Sequence, residues 1–165
     1  MSSTEWVALE EEGGKIFFLQ LIDEMVKIKG LGVLNPIDTI GDCEVGEKII
    51  IGQKILTKLN PRLPELYRGM KRRAQTISAK DAGVLITRLG VGPGDTILEA
   101  GLGSGGLSLH LARVLGETGF LITVEARDEH AEVGLENLNR AKNCLSQFPN
   151  HHHISGDITE VVEKI

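Results

Sequence analysis

The spacing of apolar residues changes character part-way along this chain. Up to about Asn60 it is strand-like. Residues 15–21, 25–29 and 47–51 are β-branched or aromatic runs separated by Gly, Asp and Asn. Val26 and Ile28 alternate with lysines as a half-buried strand does, and residues 42–46 read as a turn. This predicts a small, mostly β N-terminal domain over residues 1–62, with little room for a core of its own. Trp6 and the acidic run 10–12 ahead of these strands read as a mobile terminal stretch. Asn-Pro-Arg-Leu-Pro at 60–64 then breaks the pattern, and a connecting helix is expected over 65–73, within a linker spanning 63–73.

From residue 74 to 165 strands alternate with helices. Ser78 and Asp81 fit a capping box, followed by Ala82, Leu85, Ile86 and Leu89 at helical spacing and Gly90 as a stop. Residues 96–100 are a short buried strand after the loop 91–95. The next helix carries Leu107, Leu111, Val114 and Leu115 on one face and ends at Gly116. A second strand follows at 120–125. A third helix is expected to be capped by Asp128 and to bury Ala131, Leu135 and Leu138. A third strand at 152–155 and a helix over 158–164 complete the reading. The class is therefore α/β: a parallel, Rossmann-like open sheet, incomplete, preceded by the small β domain.

Charge and composition narrow the picture only modestly. The net charge of −5 sits in the second half, because residues 1–82 carry 12 basic and 12 acidic side chains. One short stretch is basic, with Arg62, Arg68, Lys71, Arg72 and Arg73 opposed only by Glu65. It reads equally as a solvated face or a nucleic-acid contact. Two cysteines, Cys43 and Cys144, do not make a disulfide framework, and no apolar run is long enough to span a bilayer. A cytoplasmic protein with no membrane partner is expected. His151, His152 and His153 do not suggest a metal site, since consecutive strand residues alternate faces; one buried histidine at a strand entry is expected instead.

Chemistry concentrates where the first parallel strand meets its helix. Gly101, Gly103 and Gly106 satisfy G-x-G-x-x-G, where a side chain would block a ligand from the backbone. Alone this loop serves NAD, FAD, S-adenosylmethionine or a plain tight turn. Glu99, two residues before the first glycine, disfavours a pyrophosphate and suits a cationic sulfonium ligand. Glu125, closing the second strand, is placed to accept ribose hydroxyls. Asp157, after Gly156, could accept an adenine amino group or simply cap a helix.

Two blocks carry a family resemblance: Lys71-Arg-Arg-Ala-Gln75-Thr-Ile-Ser-Ala-Lys80-Asp81 and the segment 99–106. With them the chain resembles the tRNA (adenine-N1)-methyltransferases, class I Rossmann-like enzymes that methylate N1 of an adenine in the tRNA T-loop. The resemblance implies S-adenosyl-L-methionine as cofactor, tRNA as partner and a homo-oligomer, a tetramer in the family. By position it implies that Gln75, Thr76 and Ile77 line the methionine end of the cofactor. Gly101, Leu102, Gly103, Ser104 and Gly105 would approach it through the backbone, with Glu125 at the ribose and Asp157 at the adenine, and Glu99, Ala126 and Ile158 complete the implied cofactor-binding set. Arg68, Lys71, Arg72 and Arg73 would lie near the tRNA.

Two departures stand out. Ser78-Ala79 replaces a frequent Tyr-Pro, and the sequence stops before the fourth strand, after which the family's catalytic aspartate lies. No catalytic residue is therefore assigned, and the expectation is a truncated enzyme that binds cofactor but is inactive alone. Protein isoaspartate methylation, a non-catalytic tRNA-binding subunit and an NAD enzyme stay open as alternatives.

Overall fold

A computed structural model describes residues 5–164, the side chain of Lys164 excepted. Residues 1–4 of the expected N-terminal domain and Ile165 lie outside the described residues. The chain divides into two compact units, 1–69 and 70–165.

The first unit is an antiparallel sheet. Strands β1 (Trp6–Glu11), β2 (Ile16–Gln20), β5 (Lys48–Ile51) and β6 (Lys54–Leu59) lie in the order β2-β1-β6-β5. A separate hairpin joins β3 (Val26–Ile28) to β4 (Gly32–Leu34), and α1 (Pro36–Ile40) follows it, capped by Asn35. α2 (Leu63–Arg68) closes the unit. The acidic stretch read as mobile is instead a central strand. Val7, Ala8 and Leu9 are completely buried, and β1 pairs with β2 on one side and β6 on the other. Its glutamates are satisfied at the sheet's margin, where Glu10 accepts from Arg68 at 2.5 Å and Glu11 pairs with Lys54. The connecting helix is also shorter than expected. It stops at Arg68, because Gly69 leaves the helix against Phe18 and Ile16 in a space that no side chain could share.

The core of this unit is Val7, Leu9, Phe17, Leu19, Leu34, Ile40, Ile49, Ile51 and Leu56. Beside it Lys58 is buried with no carboxylate partner among the described residues. Its ammonium donates to the carbonyls of Ile40 at 3.0 Å, Gly41 at 3.4 Å and Cys43 at 2.6 Å. These carbonyls lie at and just beyond the end of α1, where a cation is favoured.

The second unit follows the expected alternation. Strands β7 (Thr96–Ala100), β8 (Phe120–Glu125) and β9 (Asn150–Ser155) form a parallel sheet in that order. Helix α3 (Ala79–Leu89) precedes it, while α4 (Gly106–Leu115) and α5 (Asp128–Cys144) make the crossovers. α6 (Ile158–Val161) is only one turn, continued by a 3-10 turn to Lys164. Ser78 caps α3 and Gly90 ends it with φ 67°. At α5, however, Arg127 occupies the cap position and Asp128 opens the first turn.

In-register pairing puts Ile97, Glu99, Leu121, Thr123, Glu125, His151 and His153 on one face of the sheet. Leu111, Ala112 and Leu115 of α4 pack on that face against Leu121, with Ile97 at the margin. The register therefore carries Glu125 to the carboxyl end of the middle strand, where α/β sheets place ligands. Among the described residues no helix is long and apolar enough to cross a membrane.

Lys58→Met keeps the aliphatic stem and removes only the ammonium. It is expected to lower the unfolding free energy by about 2–3 kcal/mol, the scale of charged hydrogen bonds lost from buried carbonyls. Urea denaturation measures it; a loss under about 0.5 kcal/mol would contradict this role.

Candidate functional site

The turn from β7 into α4 has three of its amide hydrogens committed. Leu102 N–H donates to the Val124 carbonyl at 3.0 Å, Gly103 N–H to Glu125 Oε2 at 2.8 Å and Gly105 N–H to the Leu102 carbonyl at 2.8 Å. Gly103 and Gly105 have φ of 56° and 77°, a region that favours glycine. Helix α5 crosses close behind. A Cβ on its Gly134 would stand 2.7 Å from the Gly103 carbonyl oxygen.

Glu125 is the central polar group of the site, only 6% exposed. Burial alone would raise its carboxyl. The N–H groups of Gly103 and Arg127, with the charges of His130 and Arg127, outweigh burial and hold it below the usual carboxylate range. Each oxygen has one backbone donor, Gly103 at 2.8 Å and Arg127 at 3.1 Å. Each therefore keeps lone-pair capacity for a ligand hydroxyl. A Cβ at Gly101 would lie 3.1 Å from Glu125 Oε2, so glycine there leaves the carboxylate approachable.

An open cleft of about 190 Å³ lies over these strand ends. It gathers the expected residues Gly101, Glu125, Ala126, Asp157 and Ile158 and adds Ala100, Val124 and Gly156, which the sequence reading did not assign to the site. Asp157 is exposed and caps α6, its Oδ1 accepting from Thr159 N–H at 2.9 Å and from the Thr159 hydroxyl at 2.7 Å. Those two bonds hold its carboxyl below the ordinary value.

Glu99 lies elsewhere. It faces the helix layer, 8% exposed, and accepts from the Ser108 hydroxyl at 2.5 Å. Burial pushes its carboxyl up to about 7 against the pull of that bond. Leu102 and Ser104 are buried in the loop rather than lining the cleft, and Gln75, Thr76 and Ile77, in the strap that leads into α3, are not brought into its lining.

That strap is tied down. Ser104 Oγ accepts from Arg73 N–H and Ala74 N–H, each at 3.0 Å, and donates to the Ala74 carbonyl at 3.1 Å. Asn137, 2% exposed in the middle of α5, accepts from Lys71 N–H at 3.0 Å and donates to the carbonyls of Lys71 and Ser104. Neither role was legible beforehand, although an asparagine among the apolar positions of a helix is a signal of buried polar work. Of the basic residues, Arg68 pairs with Glu10 and Glu65 in the first unit, and Lys71 pairs with Glu136 at 2.5 Å. The side chains of Arg72 and Arg73 stand on the exposed side of the strap.

The expected single buried histidine is two half-buried ones. His151 Nε2 and His153 Nδ1 both meet the Thr123 hydroxyl at 2.9 Å, because alternate residues of β9 share the face on which Thr123 is buried. The hydroxyl has a single proton, so at least one ring must donate to it. Burial lowers both rings below the ordinary histidine value.

Residues 57–158 match the family model for the tRNA methyltransferase complex GCD14 subunit. The chain is 40% identical over 82 residues to the tRNA (adenine(57)-N(1)/adenine(58)-N(1))-methyltransferase TrmI of Methanocaldococcus jannaschii, covering 50% of this chain and 29% of that protein. It is 49% identical over 70 residues to the tRNA (adenine(58)-N(1))-methyltransferase TrmI of Thermus thermophilus, covering 42% and 28%. The match thus spans less than a third of either curated relative. Among solved structures, tRNA (m1A58) methyltransferase TrmI from Aquifex aeolicus aligns with TM-score 0.64 at 28% identity, over 95% of this chain and 59% of that one. A SAM-dependent O-methyltransferase from Thermotoga maritima aligns with TM-score 0.71 at 27% identity, over 97% and 58%.

Glu99 makes stability depend on pH. Between its ordinary value of 4.5 and about 7 the folded chain keeps a proton that the unfolded chain has lost. Stability therefore falls as pH rises through that window, by about 3 kcal/mol from this residue. Glu99→Gln keeps the acceptor for Ser108 and removes the charge. Thermal melts from pH 4 to 8 are expected to show the variant gaining on the parent as pH rises; parallel curves would contradict this.

Proposed function

The chain belongs to the tRNA methyltransferase complex GCD14 subunit family, and from that membership we propose that it forms the cofactor-binding side of an S-adenosyl-L-methionine-dependent tRNA adenine-N1 methyltransferase. The observation that carries this reading is Glu125. A charged carboxylate with one lone-pair site free on each oxygen, beneath an open cleft and beside a glycine, fits the vicinal hydroxyls of a ribose. The loop favours this cofactor over a dinucleotide. A pyrophosphate needs free amide hydrogens at the glycine turn, and those of Leu102, Gly103 and Gly105 are already spent inside the protein.

In this reading Glu125 holds the ribose, with Ala126 beside it. Ile158 and the outer oxygen of Asp157 face the adenine. The backbone of 101–105 borders the cofactor, and Gln75, Thr76 and Ile77 border its methionine end. When bound, the cofactor supplies a methyl group on a cationic sulfonium. The task of these residues is positional: a methyl fixed against an incoming ring nitrogen removes much of the entropic barrier to in-line transfer. Arg72 and Arg73, on the outer side of the strap, are the side chains we assign to tRNA phosphates. Arg68 and Lys71 already hold glutamates, but as exposed pairs worth little they can exchange those partners for phosphate.

Isothermal titration calorimetry tests the cofactor assignment. S-adenosylmethionine is expected to bind the wild-type chain and NAD to give no heat. Glu125→Ala is expected to weaken the former about a hundredfold, through loss of two hydrogen bonds to a charged acceptor. Binding of NAD alone, or an unchanged affinity in the variant, would contradict the assignment.

A further inference from the structure

The basic strap is held by its backbone, and the groups that hold it belong to the glycine loop and to the helix behind that loop. Ser104 is one residue from Gly103, whose N–H fixes Glu125, and the same Ser104 accepts both the Arg73 and the Ala74 N–H. Asn137 joins the Ser104 carbonyl to both backbone groups of Lys71. Gly134, one turn earlier on α5, lets the helix approach the loop closely enough for Asn137 to make that bridge. A connected path thus runs from Glu125 by a hydrogen bond to Gly103, along the backbone to Ser104, and by hydrogen bonds to the strap. A Cβ on Gly103 would meet Ala74 Cβ at 3.4 Å, so loop and strap are also in contact distance.

We propose that Ser104 and Asn137 act as a positioning joint, by which occupancy of the glycine loop fixes the strap 71–74 and strengthens its hold on tRNA. The inference rests on the cofactor and tRNA reading above. It goes beyond that reading by making the two ligands cooperate through named residues that need touch neither substrate nor methyl group. The division of labour along the strap supports it. Backbone groups of Lys71, Arg73 and Ala74 point inward to buried partners, while the side chains of Lys71, Arg72 and Arg73 are exposed. Cations on an immobilised backbone lose less freedom on meeting a phosphate than cations on a mobile one. A ligand that steadies Glu125 and the loop steadies the same backbone, and linkage makes the benefit reciprocal.

The experiment combines amide hydrogen exchange with tRNA binding on the full chain, using S-adenosylhomocysteine as the probe and an unmodified tRNA transcript at fixed ionic strength. In the wild type, saturating probe is expected to slow exchange at Lys71, Arg73 and Ala74 by about fivefold or more, and to tighten tRNA binding by a similar factor. In Asn137→Ala the probe still binds, but both responses fall below about twofold. Protection at Leu121 and Val124 in the variant reports that the sheet is intact. Asn137→Asp, which keeps the acceptor for Lys71 N–H and loses both donors, serves if the alanine variant does not fold. Absence of either response in the wild type, or its survival in the variant, overturns the joint. A wild-type chain that binds no probe by calorimetry contradicts the cofactor reading as well. One that binds it without a response at the strap contradicts the joint alone.

Discussion

A carboxylate kept ionised while almost wholly withdrawn from water is the constraint around which the second unit is arranged. Glu125 stands at the end of the middle parallel strand, and burial works against its charge. Two backbone amides offset that cost, and each demands a particular chain path. Gly103 presents its N–H only because the loop turns through a positive φ, and Arg127 presents its own only because α5 begins immediately after the strand. Close approach of the loop to the carboxylate requires glycine at 101, and close approach of α5 to the loop requires glycine at 134. The loop sequence is thus less a phosphate cradle than a device for serving one acid.

Two carboxylates on the same sheet face meet opposite fates, and the difference lies in their donors. Glu99 has a single hydroxyl partner and is pushed up to about 7, whereas Glu125 has two amides and neighbouring positive charge and is held low. Only the second is suited to remain a permanent hydrogen-bond acceptor at neutral pH. Sequence position alone made both look like ligands of a cationic cofactor. Position along that face separates them, because Glu99 meets Ser108 of α4 whereas Glu125 lines the cleft.

The second unit was legible because its apolar residues switch between strand and helix periods, with Ser78, Gly90 and Gly116 as punctuation. The first unit was only partly so. β1 escaped notice because three buried residues are followed by glutamates, whose partners, Arg68 and Lys54, are far away in sequence. β6 was hidden by Lys58, a charged residue at a buried strand position that makes sense only once the end of α1 is beside it. Asn137 was invisible for the same reason. A buried polar side chain is explained by partners that other elements bring to it, and local sequence does not name them. That Glu125 and Asp157 line the cleft was readable because parallel sheets open such clefts at their strand ends.

If the cofactor site is built on Glu125 and its two amide donors, ligand binding must be felt first at those groups. A titration of the isotope-labelled chain with S-adenosylhomocysteine, followed by amide chemical shifts, answers this. The amides of Gly103 and Arg127, together with those of Gly101, Ala126 and Asp157, are predicted to move first and furthest. Shifts that spare Gly103 and Arg127 and gather on the first unit, or no shifts at saturating ligand, would contradict it.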